Sequence, residues 1–146
     1  MTSPALDYGK LAKALCHLRA QVDNRRTLPA DIPLLMREAV EESIIQRFET
    51  AWDSLWKALR RYLRDEVGLA EVPNGPNPVL RLAHENDLLP SPIEQWLTYA
   101  RLRVQTAHDY SHEKAQAALQ HMDAFLQDAN RLFIRLTGQT PDAYCA

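Results

Sequence analysis

Glycine is scarce in this chain of 146 residues, four in all, and cysteine is scarcer still at two. An all-β fold needs turn chemistry about every 8–12 residues, and long stretches here have none. That absence points to helices. The two cysteines, Cys16 and Cys145, stand near opposite ends, with no CxxC and no Cys/His pairing at zinc spacing. Cys145 falls in a tail expected to fray, so separate thiols in a reducing interior are expected rather than a structural disulfide. No apolar run approaches the ~20 residues of a membrane span. The start, Met1-Thr-Ser-Pro-Ala-Leu, lacks the charged and apolar regions of a signal peptide. A soluble, cytoplasmic protein is the expectation. Excess charge of one sign is also missing. Lys+Arg 17 against Asp+Glu 19 leaves −2, which excludes a whole-chain electrostatic grip on nucleic acid but leaves room for a local basic site.

What is present is ordinary globular material: 46% hydrophobic and 25% charged residues, enough to argue against general disorder. The length suits one domain over residues 1–146, with flexible tails at about 1–4 and 139–146.

Apolar residues Leu6, Leu11, Leu15 and Leu18 recur at mostly helical intervals, predicting a first helix from Ala5 to about Val22. A second, the longest, follows Pro33 and meets no interruption until Gly68. Ile45, Trp52 and Leu59 repeat every seven residues, as do Phe48, Leu55 and Tyr62, giving a bundle-type apolar stripe. Its late basic residues, Lys57, Arg60, Arg61 and Arg64, suit the helix dipole and read as a solvated terminus. Asn77 with Pro78 predicts a short third helix to about Leu89, and Ser91-Pro92-Ile93-Glu94 has the form of a capping box opening a fourth, to about His108. Ser111 is expected to cap a fifth that runs unbroken to Gly138. Four long helices and one short one predict an all-α, antiparallel four-helix up-and-down bundle with an additional short helix.

The fourth helix carries the unusual chemistry. At about 100° per residue from Trp96, Ile93, Leu97, Ala100, Val104 and Ala107 form one apolar face, small enough to admit a neighbouring helix closely. Arg103 falls at about −20° and His108 at about 120°, flanking it. Arg can clamp phosphate oxygens bidentately, and His can exchange a proton near neutral pH. Spacing alone leaves a bland alternative open: an Arg paired with a carboxylate and a His ending a helix.

Arg103-Val104-Gln105-Thr106-Ala107-His108 followed by Asp109-Tyr110 resembles the R-x4-H-x-Y signature of HEPN proteins, the nucleotidyltransferase substrate-binding or HepT-like partners of minimal nucleotidyltransferases. Ile44 to Glu49 with Trp52, Leu55 to Leu59, Tyr62-Leu63, Pro78 to Arg81 and Trp96-Leu97 resemble further segments of that family, so the likeness spans roughly Arg37 to Leu136. The resemblance implies a bundle like the carboxy-terminal domain of kanamycin nucleotidyltransferase, and a homodimer whose paired Arg and His residues share one cleft. It further implies metal-independent RNA cleavage, with His108 helping to activate the ribose 2′-hydroxyl and Arg103 holding the phosphate. A cognate nucleotidyltransferase would silence this toxin-like component by transferring AMP to Tyr110, adding bulk and negative charge. Val104 stands where the family commonly has a polar residue, which favours the alternative of a non-catalytic substrate-binding subunit of a split nucleotidyltransferase.

Neither metal nor cofactor is expected. His108 and His112 are four apart but separated by the expected cap at Ser111, and no third ligand is evident. His84, His17 and His121 read as structural or solvated. The tryptophans read as core rather than base-stacking platforms. A Gly-rich phosphate loop and the Gly-Ser/paired-Asp signature of a nucleotidyltransferase are both missing, so that activity would reside in a separate chain.

Overall fold

In the computed structural model, residues 8–108 and 112–145 are described. Among them every regular element is helical: α1 (Gly9–Arg26), α2 (Leu34–Asp65), α3 (Pro76–Glu85), α4 (Ile93–His108), α5 (His112–Gln120), α6 (Met122–Thr137) and a 3-10 turn (Pro141–Tyr144). The 32 residues of α2 make a rod of about 48 Å. α1, α3, α4, α5 and α6 all pack against it, and α1 also meets α6.

The heptad stripe of α2 explains this central place. Ile45, Phe48, Trp52, Leu55 and Leu59 are almost completely buried. Phe125 of α6 meets Phe48 edge-on with ring centroids 5.0 Å apart, and Tyr99 of α4 in the same way at 5.2 Å. Burying each such side chain contributes about 1.5–3 kcal/mol, so one aromatic cluster fixes three helices at once. At the far end, Arg25 Nε and Nη2 donate to Glu41 Oε2 at 2.9 and 2.7 Å, tying the close of α1 to the early part of α2.

Helix boundaries depart from the sequence expectations in instructive ways. α3 starts at Pro76 after an extended Gly75, earlier than Pro78, because Pro76 itself lacks the N–H that a first turn cannot satisfy. The Ser91 hydroxyl, expected to cap α4, donates to Asp128 of α6, a buried carboxylate that also accepts from Tyr99. The expected single last helix is broken at His121. There the backbone N–H bonds Ala118 O, while the imidazole takes Ala117 O at 2.8 Å, the carbonyl that a continuous helix would have offered to that N–H. Gly138 closes α6 with φ of 75°, the left-handed stop that its lack of Cβ permits.

The carboxy-terminal residues also correct the expectation of a loose tail. Pro141 is buried, Tyr144 packs edge-on against Phe133 at 5.7 Å, and the 3-10 turn lies on α1. This docking brings Cys145 to Cys16, with Cα atoms 6.2 Å apart and a disulfide between them, a separation normal for such a bond. The pair is therefore not two distant thiols. Burial of Pro141 and the packing of Tyr144, three residues further on, outweigh the fraying expected of a chain end.

No helix among the described residues is long and apolar enough to cross a membrane.

Candidate functional site

α4 presents a different face to the core from the one its apolar residues suggest. Trp96, Tyr99 and Leu102 point inward with Ala100, whereas Val104 is 55% exposed and Ala107 is exposed as well. The two large aromatics decide the orientation, since each buries far more surface than Val or Ala. The helix is thereby rolled so that Arg103 and Thr106 face α2 and the small residues form an open edge.

On α2, Glu49 and Asp53 lie four residues apart, hence on one face and close together. Arg103 Nη1 donates to Glu49 Oε2 at 2.9 Å. Its Nε and Nη2 donate to the two oxygens of Asp53 at 3.4 and 3.2 Å, a bidentate fork. Thr106 Oγ1 stands 3.1 Å from the same Glu49 oxygen. The cluster is half-shielded: side-chain exposures are 27% for Arg103, 20% for Glu49 and 41% for Asp53. Burial alone would lower the guanidinium pKa, but the hydrogen bond and charge of Asp53 together with the charge of Glu49 outweigh it, so the net shift is upward.

This arrangement sets what the Arg can do. A guanidinium has five N–H groups, and three of them are engaged by acceptors among the described residues. One on each terminal nitrogen is left, pointing from a head that α2 holds in a fixed place. Two carboxylates against one cation also leave the immediate cluster with a negative balance, which opposes an approaching anion unless other cations contribute.

His108 is the last residue of α4, five residues and about 7.5 Å along the same unbroken helix from Arg103. Its side chain is outside the described part of the structure, and Tyr110 and the expected cap Ser111 lie outside the described residues altogether. Glu49 and Asp53 were missed in the sequence. Their signal was present as an i, i+4 carboxylate pair beside the apolar stripe, in the middle of the second helix.

The helical frame and the Arg-to-His segment define a chain of the nucleotidyltransferase substrate-binding kind. The family described as nucleotidyltransferase substrate binding protein like matches residues 6–137, and the chain belongs to it. A curated relative, the probable ribonuclease HepT of Haemophilus influenzae, is 27% identical over 106 residues, covering 71% of this chain and 72% of the relative. Among solved structures, a protein from Thermus thermophilus is similar with a TM-score of 0.71 and 28% identity, over 87% of this chain and 98% of that one. HI0074 of Haemophilus influenzae, described as showing the fold of a substrate binding domain of a nucleotidyltransferase, has the same TM-score at 24% identity, over 89% and 98%.

Proposed function

We propose that this chain is the toxin-like component of a two-gene toxin–antitoxin module, a metal-independent endoribonuclease acting as a homodimer and silenced by AMP transfer to Tyr110. The observation that carries the reading is Arg103, locked by α2 with two N–H groups to spare, on the helix that ends in His108. The similarity to a probable ribonuclease supports it. In the reaction, His108 accepts the proton of a ribose 2′-hydroxyl as that oxygen attacks the adjacent phosphorus. The 5′-oxygen of the next nucleotide leaves and takes up a proton, and a 2′,3′-cyclic phosphate remains. Arg103 steadies the charge that develops on the non-bridging oxygens. The open edge of α4, with Val104 and Ala107, is the surface offered to a second copy, whose own Arg and His would offset the local negative balance. A small nucleotidyltransferase encoded nearby is the proposed partner.

The test is incubation of purified protein with RNA in EDTA, beside His108→Ala. Cleavage by the wild type alone supports the reading. Equal cleavage by both, or none by the wild type, removes it. After co-expression with the nucleotidyltransferase, a mass gain of one or more AMP units on the Tyr110 peptide supports the silencing step.

A second reading rests on the same geometry. Two carboxylates already occupy much of Arg103, and Val104 supplies no polar group beside it. A non-catalytic subunit that presents substrate to a separate nucleotidyltransferase would show both features. It predicts a stable heteromeric complex and no RNA cleavage.

A further inference from the structure

Two of the late basic residues of α2, Lys57 and Arg61, line a hollow between helices. Arg47, Lys57 and Arg61 recur at helical spacing on one face of α2, and Lys10 and His17 face them from α1. Between the two helices lie two adjoining hollows of about 460 and 230 Å³ that share Thr50 as a wall. From Arg47 to Arg61 the groove follows fourteen residues of helix, about 21 Å. Among the described residues its lining holds one carboxylate, Asp53, and that carboxylate is the one forked by Arg103. The groove therefore passes directly beside the candidate site, and its cations outnumber the carboxylate it shares with that site.

In a chain of net charge −2 such a run of cations is a local concentration. Lys10 and Lys57 are exposed, and the Lys57 ammonium sits 5.7 Å from the ring of Trp56. Arg47 gives one N–H to His17 O at 2.6 Å, which holds its head at the groove wall. A positively charged groove of this length suits an extended sugar–phosphate backbone. It also supplies the cations that the Arg103 cluster lacks.

We infer that the α1–α2 groove is a track for single-stranded RNA, in which Lys10, Lys57, Arg61 and Arg47 hold the phosphates flanking the bond presented to Arg103. This rests on the ribonuclease reading for its substrate class but concerns binding, so the two can fail separately. The probe is a fluorescent 2′-O-methyl RNA of about 12 nucleotides, which lacks the attacking hydroxyl, followed by anisotropy in EDTA. Each phosphate contact on a single strand contributes about −0.7 to the slope of log K against log salt. Lys10→Gln with Lys57→Gln should reduce that slope by about 1.4 and weaken binding roughly 10–30-fold at 0.1 M salt. Arg81→Gln with Arg131→Gln, exposed positions outside the groove lining, should leave both unchanged. No binding by the wild type, equal weakening by the two pairs, or full displacement by AMP at equal concentration overturns the track. Cleavage of unmodified RNA with binding indifferent to Lys10 and Lys57 sinks the track and leaves the ribonuclease. The predicted binding losses without any cleavage leave the track and sink the ribonuclease.

Discussion

Replacing Arg103 by Met removes the fork to Asp53 and the bond to Glu49 while keeping an unbranched stem. Breaking a fully buried ion pair costs about 3–5 kcal/mol, and an exposed pair is worth about 0.2–1 kcal/mol. Arg103 and Glu49 lie between these limits, with 27% and 20% of their side chains exposed, and Asp53 is wetter at 41%. The expected loss is about 1.5–3 kcal/mol, most of it from Glu49 and Thr106 left beside each other without a cation. For a domain near this size 1 kcal/mol moves Tm by about 2–4 °C, so the midpoint should fall by roughly 3–12 °C. Urea unfolding followed by tryptophan fluorescence suits the measurement, because Trp52 and Trp96 are fully buried and report the core. Adding Glu49→Gln should cost less in the Arg103→Met background than alone, by about 1 kcal/mol, since the two residues are in contact. A loss below about 0.5 kcal/mol, or strict additivity, would refute the claim that α2 fixes the guanidinium.

Other expectations follow from other parts of the molecule. Tyr8 is held up to about 12 by burial and, next, by the Glu66 carboxylate. The folded protein keeps that proton longer than the unfolded chain, so the stability this adds is complete below pH 10 and is lost as pH rises toward 12, as a base titration at about 295 nm with parallel unfolding curves would record. The Tyr8 hydroxyl is buried with no hydrogen-bond partner among the described residues, so Tyr8→Phe should be neutral or stabilising and should flatten that alkaline loss. Closing a loop between residues 129 apart contributes up to about 4–5 kcal/mol; reduction, or Cys145→Ser, should lower Tm, and an unchanged Tm with intact thiol titration of both cysteines would count against the link. If the proposed homodimer forms through the open edge of α4, Val104→Glu should leave a monomer in light scattering behind size exclusion, with circular dichroism unaltered because the side chain is exposed.

Much of the frame could be read before any coordinates. The long helix with its seven-residue repeat, the start of α4 next to Pro92 and the stop at Gly138 each follow from strong local rules, and the structure agrees with all three. Local rules failed where a side chain found a distant partner. Ser91 has the look of a cap but serves Asp128, thirty-seven residues away. His121 breaks a helix by competing for one carbonyl, an effect no hydrophobic pattern registers. The roll of α4 was misjudged because counting apolar residues ignores their size, and Trp96 with Tyr99 outweighs Val104 with Ala107. Of the site, the Arg103-to-His108 segment was visible as a motif. Its counterparts on α2 were not, since pairing across fifty residues is a property of the packed bundle. The same holds for the basic groove, which needs α1 opposite α2 before its cations converge.

The central claim is tested most directly by the ends left on cut RNA. Protein treated with EDTA should release fragments carrying 2′,3′-cyclic phosphate and 5′-hydroxyl groups, and a 2′-O-methyl strand of the same sequence should stay whole. Fragments with 3′-hydroxyl and 5′-phosphate ends, or cutting that appears only when a divalent cation is restored, would contradict the roles given to Arg103 and His108.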